Sequence, residues 1–183
     1  KVLYTYTKAQ DEVVDFVNLT DLIEDGLGVI NFVGHSSGQY WAVDLGPPSD
    51  YDNEGKYPMI FSSSCFVGNI HNVTIDGPIM SEEYVLAEKS GSIGFLSAVS
   101  FGFPTPMDAF MDALYKRMCK DNYGQSIATC IKEVANAFET ADSENNSLRY
   151  VTQTFTLAGD PALTLHSWDQ PEYDVQENAV FFT

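Results

Sequence analysis

Residues Gly28–His35 read GVINFVGH, and residues Pro58–Cys65 read PMIFSSSC. Each is an apolar run that ends on a residue capable of chemistry. Apolar continuity of this kind suits parallel strands covered on both faces. If the two runs are parallel neighbours, His35 and Cys65 emerge at the same carboxyl edge of one sheet. That edge is where open α/β sheets hold their sites. A cysteine nucleophile beside a histidine base is the minimum apparatus for acyl transfer. The chain between the two runs is long enough for a crossover connection.

Outward from this pair, the pattern alternates between strands and helices. Val2–Thr7 reads as a strand. Gln10–Asp25 carries Val13, Val14, Val17, Leu22 and Ile23 at helical spacing, with Gly26 and Gly28 as its stop. Residues 36–57 are polar, acidic and interrupted by Gly and Pro, so they read as a long loop of the functional kind. After the strand Met59–Ser64, Pro78–Lys89 predicts a helix ended by Ser90-Gly91, and Ser92–Ser100 predicts another strand. Pro106–Lys120 and Gln125–Thr140 predict a helical pair around Asp121-Asn122-Tyr123-Gly124. Thr152–Ala158 predicts a strand, followed by the turn Gly159-Asp160-Pro161 into Ala162–His166. Alternation of this kind predicts a three-layer α/β domain, with a mostly parallel sheet and helices on both faces. We place that domain at residues 1–168. Residues 169–183 read as a linker or the start of a following β domain.

The chain has 183 residues, enough for a substantial core, and 44% of them are hydrophobic. Nine basic and 26 acidic residues give a net charge of −17. That balance argues against nucleic acid and anionic membrane surfaces as partners. No stretch approaches the roughly 20 apolar residues of a transmembrane helix, so membrane insertion is not expected. The chain opens on KVLYTYT, without an initiator Met, and reads as a segment of a larger protein. Three cysteines are too few for a disulfide scaffold. Cys119 and Cys130 fall near the end of one helix and the start of the next. They either pair in an oxidising compartment or lie on apolar helix faces.

Gly34-His35-Ser36-Ser37-Gly38 admits two enzymatic readings. In the first, His35 is a base. In the second, G-x-S-x-G is a nucleophile elbow with Ser36 as nucleophile, completed by Asp160 and His166. The elbow needs a helix directly after it, and QYWAVDLGPPSDYDNEG has no helical period. A third possibility is a histidine that packs at a strand end. In Ser62-Ser63-Ser64-Cys65-Phe66-Val67-Gly68, small residues let the strand end approach other backbone, and Gly68 allows a sharp turn. Its bland alternative is a buried structural cysteine. His71, just beyond, reads as a surface loop residue.

Taken together, these segments resemble the caspase-like cysteine peptidases, and most closely the gingipain family. VINFVGHSSGQYW resembles the family's His strand, and YPMIFSSSCFVGNI its Cys strand. LAEKSGSIGFLSAVS (Leu86–Ser100) and FTLAGDPALTL (Phe155–Leu165) resemble the helix–strand and terminal turn that follow. The resemblance implies a secreted cysteine endopeptidase with His35 as general base and Cys65 as nucleophile. It implies an oxyanion hole from the backbone N–H groups of Cys65 and Ser36. The family pattern has Gly where this chain has Ser36. The loop carrying Ser100, Phe101 and Phe103 would border the primary specificity pocket, and any third catalytic acid would lie upstream. The implied partners are a protein or peptide substrate and the flanking domains of the same parent chain. The implied location is outside a bacterial cell or on its surface. A non-catalytic member of the fold, or a sortase-like transpeptidase, are the alternatives.

The resemblance implies no required cofactor. Independently, Asp50, Asp52 and Glu54, with Gly55 following, have the oxygen spacing of the start of a Ca²⁺ loop. Position 12 of such a loop would be Phe61, which excludes a full EF-hand and leaves a looser Ca²⁺ site. No two Cys or His residues have zinc spacing.

Overall fold

A computed structural model describes Thr5, residues 19–43, 45–72, Thr74, and residues 76–141 and 146–165. The strand expected at Val2–Thr7 apart from Thr5, most of the helix expected at Gln10–Asp25 and the segment 169–183 lie outside the described residues.

The described residues through Pro104, with Gln153–Gly159, form one compact unit. Its first helix, α1 (Thr20–Asp25), stops at Gly26, which takes φ 104°, a conformation open to glycine. β1 (Val29–Val33), β2 (Met59–Ser63), β3 (Gly94–Ala98) and β4 (Phe155–Gly159) form a sheet in the order β1-β2-β3-β4. The first three strands run parallel and β4 is antiparallel to β3. This is the α/β class expected. Every position of β2 and β3 is buried, so both faces of those strands are covered. β1 differs from expectation. Val33 is 73% exposed and Val29 is exposed too, because β1 closes the row of described strands.

The core of this unit joins Ile30, Ile60 and Phe95 of the sheet to Met80 and Tyr84 of α2 (Met80–Leu86). The loop after β1 contributes Trp41, Leu45 and Tyr51 to the same cluster. Trp41 stacks on Phe32 at 4.1 Å, and its Nε1 donates to Ser62 Oγ at 2.9 Å. The long loop is therefore not simply polar. Its aromatic residues fasten it to the sheet.

Asn53, fully buried, fastens the loop a second time. Its Nδ2 donates to the Gly91 carbonyl at 2.9 Å, and its Oδ1 accepts the Gly91 N–H at 3.0 Å. Gly91 sits at φ 85°, and a Cβ there would lie 2.1 Å from the Tyr84 carbonyl oxygen. Only glycine fits this turn. The helix expected over Pro78–Lys89 is shorter, Met80–Leu86, since Ala87 is extended and Lys89 takes φ 66°.

Thr105–Thr152, with the described residues from Asp160 on, form the second unit. It contains α3 (Pro104–Lys116), a π-helical turn at Arg117–Asp121, α4 (Ile127–Ala141) and most of α5 (Asn146–Thr154). Phe110 and Phe138 meet edge to face at 6.1 Å. Arg117 reaches Asp121 at 3.7 Å and Glu133 at 3.5 Å, tying the π turn to α4. α5 was not expected. Residues 152–154, read as the start of a strand, are its last turn, and β4 starts at Phe155.

Replacing Asn53 by Leu keeps the volume but orphans the Gly91 N–H and C=O. Each buried group left without a partner costs about 1–3 kcal/mol. Asn53→Leu should therefore lower Tm by many degrees in a thermal melt, whereas replacing exposed Asp52 by Asn should leave it within a degree or two, roughly what a surface change costs.

Candidate active site

Register places the two chemical residues together. Val33 of β1 pairs with Ser63 of β2. His35 and Cys65 each lie two residues beyond that pair, so they leave the same edge of neighbouring parallel strands. The Gly34 N–H still donates to the Ser63 carbonyl at 3.3 Å, extending the pairing by one step. Past this point the Ser36 Oγ donates to the Cys65 carbonyl at 2.5 Å, so a side chain joins the two ends where the backbone ladder stops. His35 is exposed and Cys65 half-buried.

Ser36 sits opposite Trp41 in an isolated antiparallel bridge. The hydrogen bonds of that bridge come from its neighbours: Ala42 N–H to the His35 carbonyl at 2.7 Å, and Ser37 N–H to the Tyr40 carbonyl at 2.9 Å. The bridge does not use the Ser36 N–H. A hairpin rather than a helix follows Ser36, which removes the strand-to-helix turn that a serine elbow needs. His166 lies outside the described residues, and the Asp160 carboxylate accepts the Ala162 N–H at 2.8 Å within its own turn.

The turn after the nucleophile position is tight. Val67 N–H donates back to the Cys65 carbonyl at 2.9 Å, two residues on, and Phe66 at its centre takes φ 62°. A non-glycine residue in that region costs on the order of 1–3 kcal/mol and persists only where surroundings hold it. The sharp turn expected at Gly68 is thus made by Phe66. Gly68 serves another need: a Cβ there would lie 2.6 Å from Ser97 Oγ and 3.0 Å from the Ser97 carbonyl oxygen. Its N–H donates to the Ala98 carbonyl at 3.0 Å.

The loop after β3 holds this turn from the other side. The Ser100 carbonyl accepts the Phe66 N–H at 3.1 Å, and Phe101 meets Phe66 edge to face at 4.7 Å. The Gly102 N–H donates to Cys65 Sγ at 3.2 Å, and the sulfur lies 4.0 Å from the Gly102 carbonyl oxygen. Phe101 and Phe103 are 62% and 53% exposed beside it. Ser100, Phe101 and Phe103 were anticipated beside Cys65. Gly102 was not, and its only sequence signal is a small residue between two aromatics.

The other cysteines are differently placed. Cys130 is buried, and desolvation, reinforced by the Glu133 carboxylate, pushes its thiol up. Cys119, expected on an apolar helix face, is exposed in the π turn. His71 is exposed.

The cation loop is not assembled. Among the described residues no three His, Cys, Asp or Glu side chains come together as a metal group. Asp50 ends a 3-10 turn, the Asp52 N–H donates to Glu24, and Glu54 extends toward Lys89 at 3.9 Å.

The sequence model of peptidase family C25 matches residues 2–166. No curated protein sequence matches significantly. Among solved structures, the Arg-specific cysteine proteinase gingipain R aligns with TM-score 0.68 and 19% identity, covering 80% of this chain and 35% of that one. The complex of Porphyromonas gingivalis RgpB pro- and mature domains aligns with TM-score 0.64 and 17% identity, covering 80% and 36%. The chain thus spans about a third of the length of these structures and shares their fold. By the family match over nearly its whole length, with Cys65 and His35 at one sheet edge of that fold, the chain belongs to peptidase family C25, the gingipain-like cysteine peptidases.

Proposed function

We propose that Cys65 and His35 form the catalytic dyad of a secreted or cell-surface endopeptidase acting through a thioester acyl-enzyme. The observation that carries this reading is the β1–β2 register, which leaves both residues two positions past the pair Val33–Ser63. Membership in the family supports it, and so does a donor, the Gly102 N–H, aimed at the sulfur.

The chemistry runs in two halves. His35 takes the thiol proton as Cys65 Sγ attacks the scissile carbonyl carbon. The tetrahedral oxyanion is held by the N–H groups of Cys65 and Ser36, and His35 returns the proton to the departing amine. Water, deprotonated by His35, then attacks the thioester and releases the acid. Loss of one oxyanion donor typically costs about 100- to 1,000-fold in kcat. The Ser36–Cys65 side-chain bond fixes the spacing of the two donors. Phe101 and Phe103, with Ser100, line the side where the residue before the scissile bond would sit. The substrate is a protein or peptide, and flanking parts of the parent chain complete the cleft. No resident metal or cofactor enters these steps, and no helix among the described residues is long and apolar enough to cross a membrane.

Turnover of a mixed peptide library by the parent protein tests this reading. Cys65→Ala and His35→Ala should each remove it, by a thousandfold or more, as expected when a member of a catalytic unit is lost. Cys65→Ala should shift stability by no more than about 1 kcal/mol, the worth of one hydrogen bond. A folded parent protein that cleaves no better than Cys65→Ala would make the domain a binding module instead.

Ser36→Ala removes the bond to the Cys65 carbonyl, about 0.5–1.5 kcal/mol. We expect a Tm drop of a few degrees and a fall in kcat with KM nearly unchanged, read from steady-state kinetics and a thermal melt.

A further inference from the structure

Cys65 is gripped through its own side chain by a segment far away in sequence. Three contacts from Ser100–Gly102 converge on Cys65-Phe66: the Ser100 carbonyl on the Phe66 N–H, the Phe101 ring on the Phe66 ring, and the Gly102 N–H on Cys65 Sγ. The first two hold the left-handed Phe66 that a free chain would relax. The third reaches the reacting atom. We propose that Gly102 is a positioning residue whose backbone N–H orients the Cys65 sulfur, with Ser100 and Phe101 clamping the turn that presents it.

The chemistry follows from the donor. An N–H aimed at sulfur holds it through a directional hydrogen bond. It also selects one position of Sγ, against the three staggered positions open to a free cysteine side chain. The segment suits the role because Gly94–Ala98 is buried strand, so the residues just after it are anchored close to their root. This inference rests on Cys65 being the nucleophile, but its test does not use peptide cleavage.

The measurement is the alkylation rate of Cys65 by iodoacetamide, in a Cys119→Ser background so that the exposed Cys119 does not contribute, with peptide mapping to confirm the site. Gly102 lies outside the positive-φ glycines, so a side chain there meets no left-handed strain. Gly102→Ala retains the N–H and Gly102→Pro removes it. At neutral pH we expect Gly102→Pro to react about three- to tenfold more slowly, the effect of losing one hydrogen bond that holds the sulfur in place. Gly102→Ala should track the parent. A second measurement needs no change at Gly102: hydrogen exchange of the Gly102 amide should be slow in the parent and faster in Cys65→Ala. Equal alkylation of the proline and alanine variants with the parent, or Gly102 exchange indifferent to Cys65→Ala, would overturn the proposal. Slowed alkylation in a protein that cleaves no peptide would uphold it and sink the peptidase reading alone.

Discussion

Parallel pairing of β1 with β2 is the constraint on which the rest of the site depends. Parallel strands in register deliver their carboxyl ends to one edge, so the ladder that pairs Val33 with Ser63 also decides where His35 and Cys65 come out. A slip of one residue would turn every side chain of the slipped strand to the opposite face. The register is held by burial on β2, whose five positions are all covered, and by the Trp41 indole, which docks on Ser62 next to the pair. The small residues Ser62, Ser63 and Ser64 are part of the same device. The Ser62 and Ser64 hydroxyls lie 2.6 Å apart, and larger side chains would hold the neighbouring backbone away.

Where the ladder ends, side chains and single backbone groups take over. Ser36 Oγ bridges to the Cys65 carbonyl from the His side, and Gly102 N–H reaches the sulfur from the β3 side. Cys65 is thereby held at two different atoms by two different segments. The cost appears at Phe66, whose positive φ is tolerated because its N–H, its ring and the carbonyl before it all have partners. Strain next to a reacting group is a recurrent feature of sites that must present one atom in one place.

Ser36 stands where the resemblance to the family implies glycine, and the structure supplies a physical use for a serine there. A glycine offers only its N–H. A serine offers the same N–H and a hydroxyl that spans to the opposite strand end. The departure therefore adds a tie to the edge of the site without consuming the group that the proposed oxyanion hole requires.

The strands and their neighbours were readable in the chain itself. Val29–Val33 and Met59–Ser63 declare themselves as short apolar runs, and α3 and α4 as periodic apolar faces, because these signals lie within a window of a few residues. The order of the His-ended and Cys-ended strands, with Leu86–Ser100 and Phe155–Leu165 after them, was enough to recognise the family. Other features belong to tertiary structure alone. Phe66 is left-handed because Ser100 and Phe101 hold it, from some 35 positions away by residue number. Trp41 and Tyr51 are core residues inside a stretch whose composition reads as polar loop, since burial is decided by what the sheet leaves open. The carboxylates at Asp50, Asp52 and Glu54 have the spacing of a cation loop, yet among the described residues no three such side chains come together, because spacing along a chain does not oblige side chains to converge. The N–H of Gly102 meets the sulfur of Cys65 only once β2 and β3 are paired. A backbone donor carries no side-chain identity, so the letter at position 102 marks a small residue and not a donor.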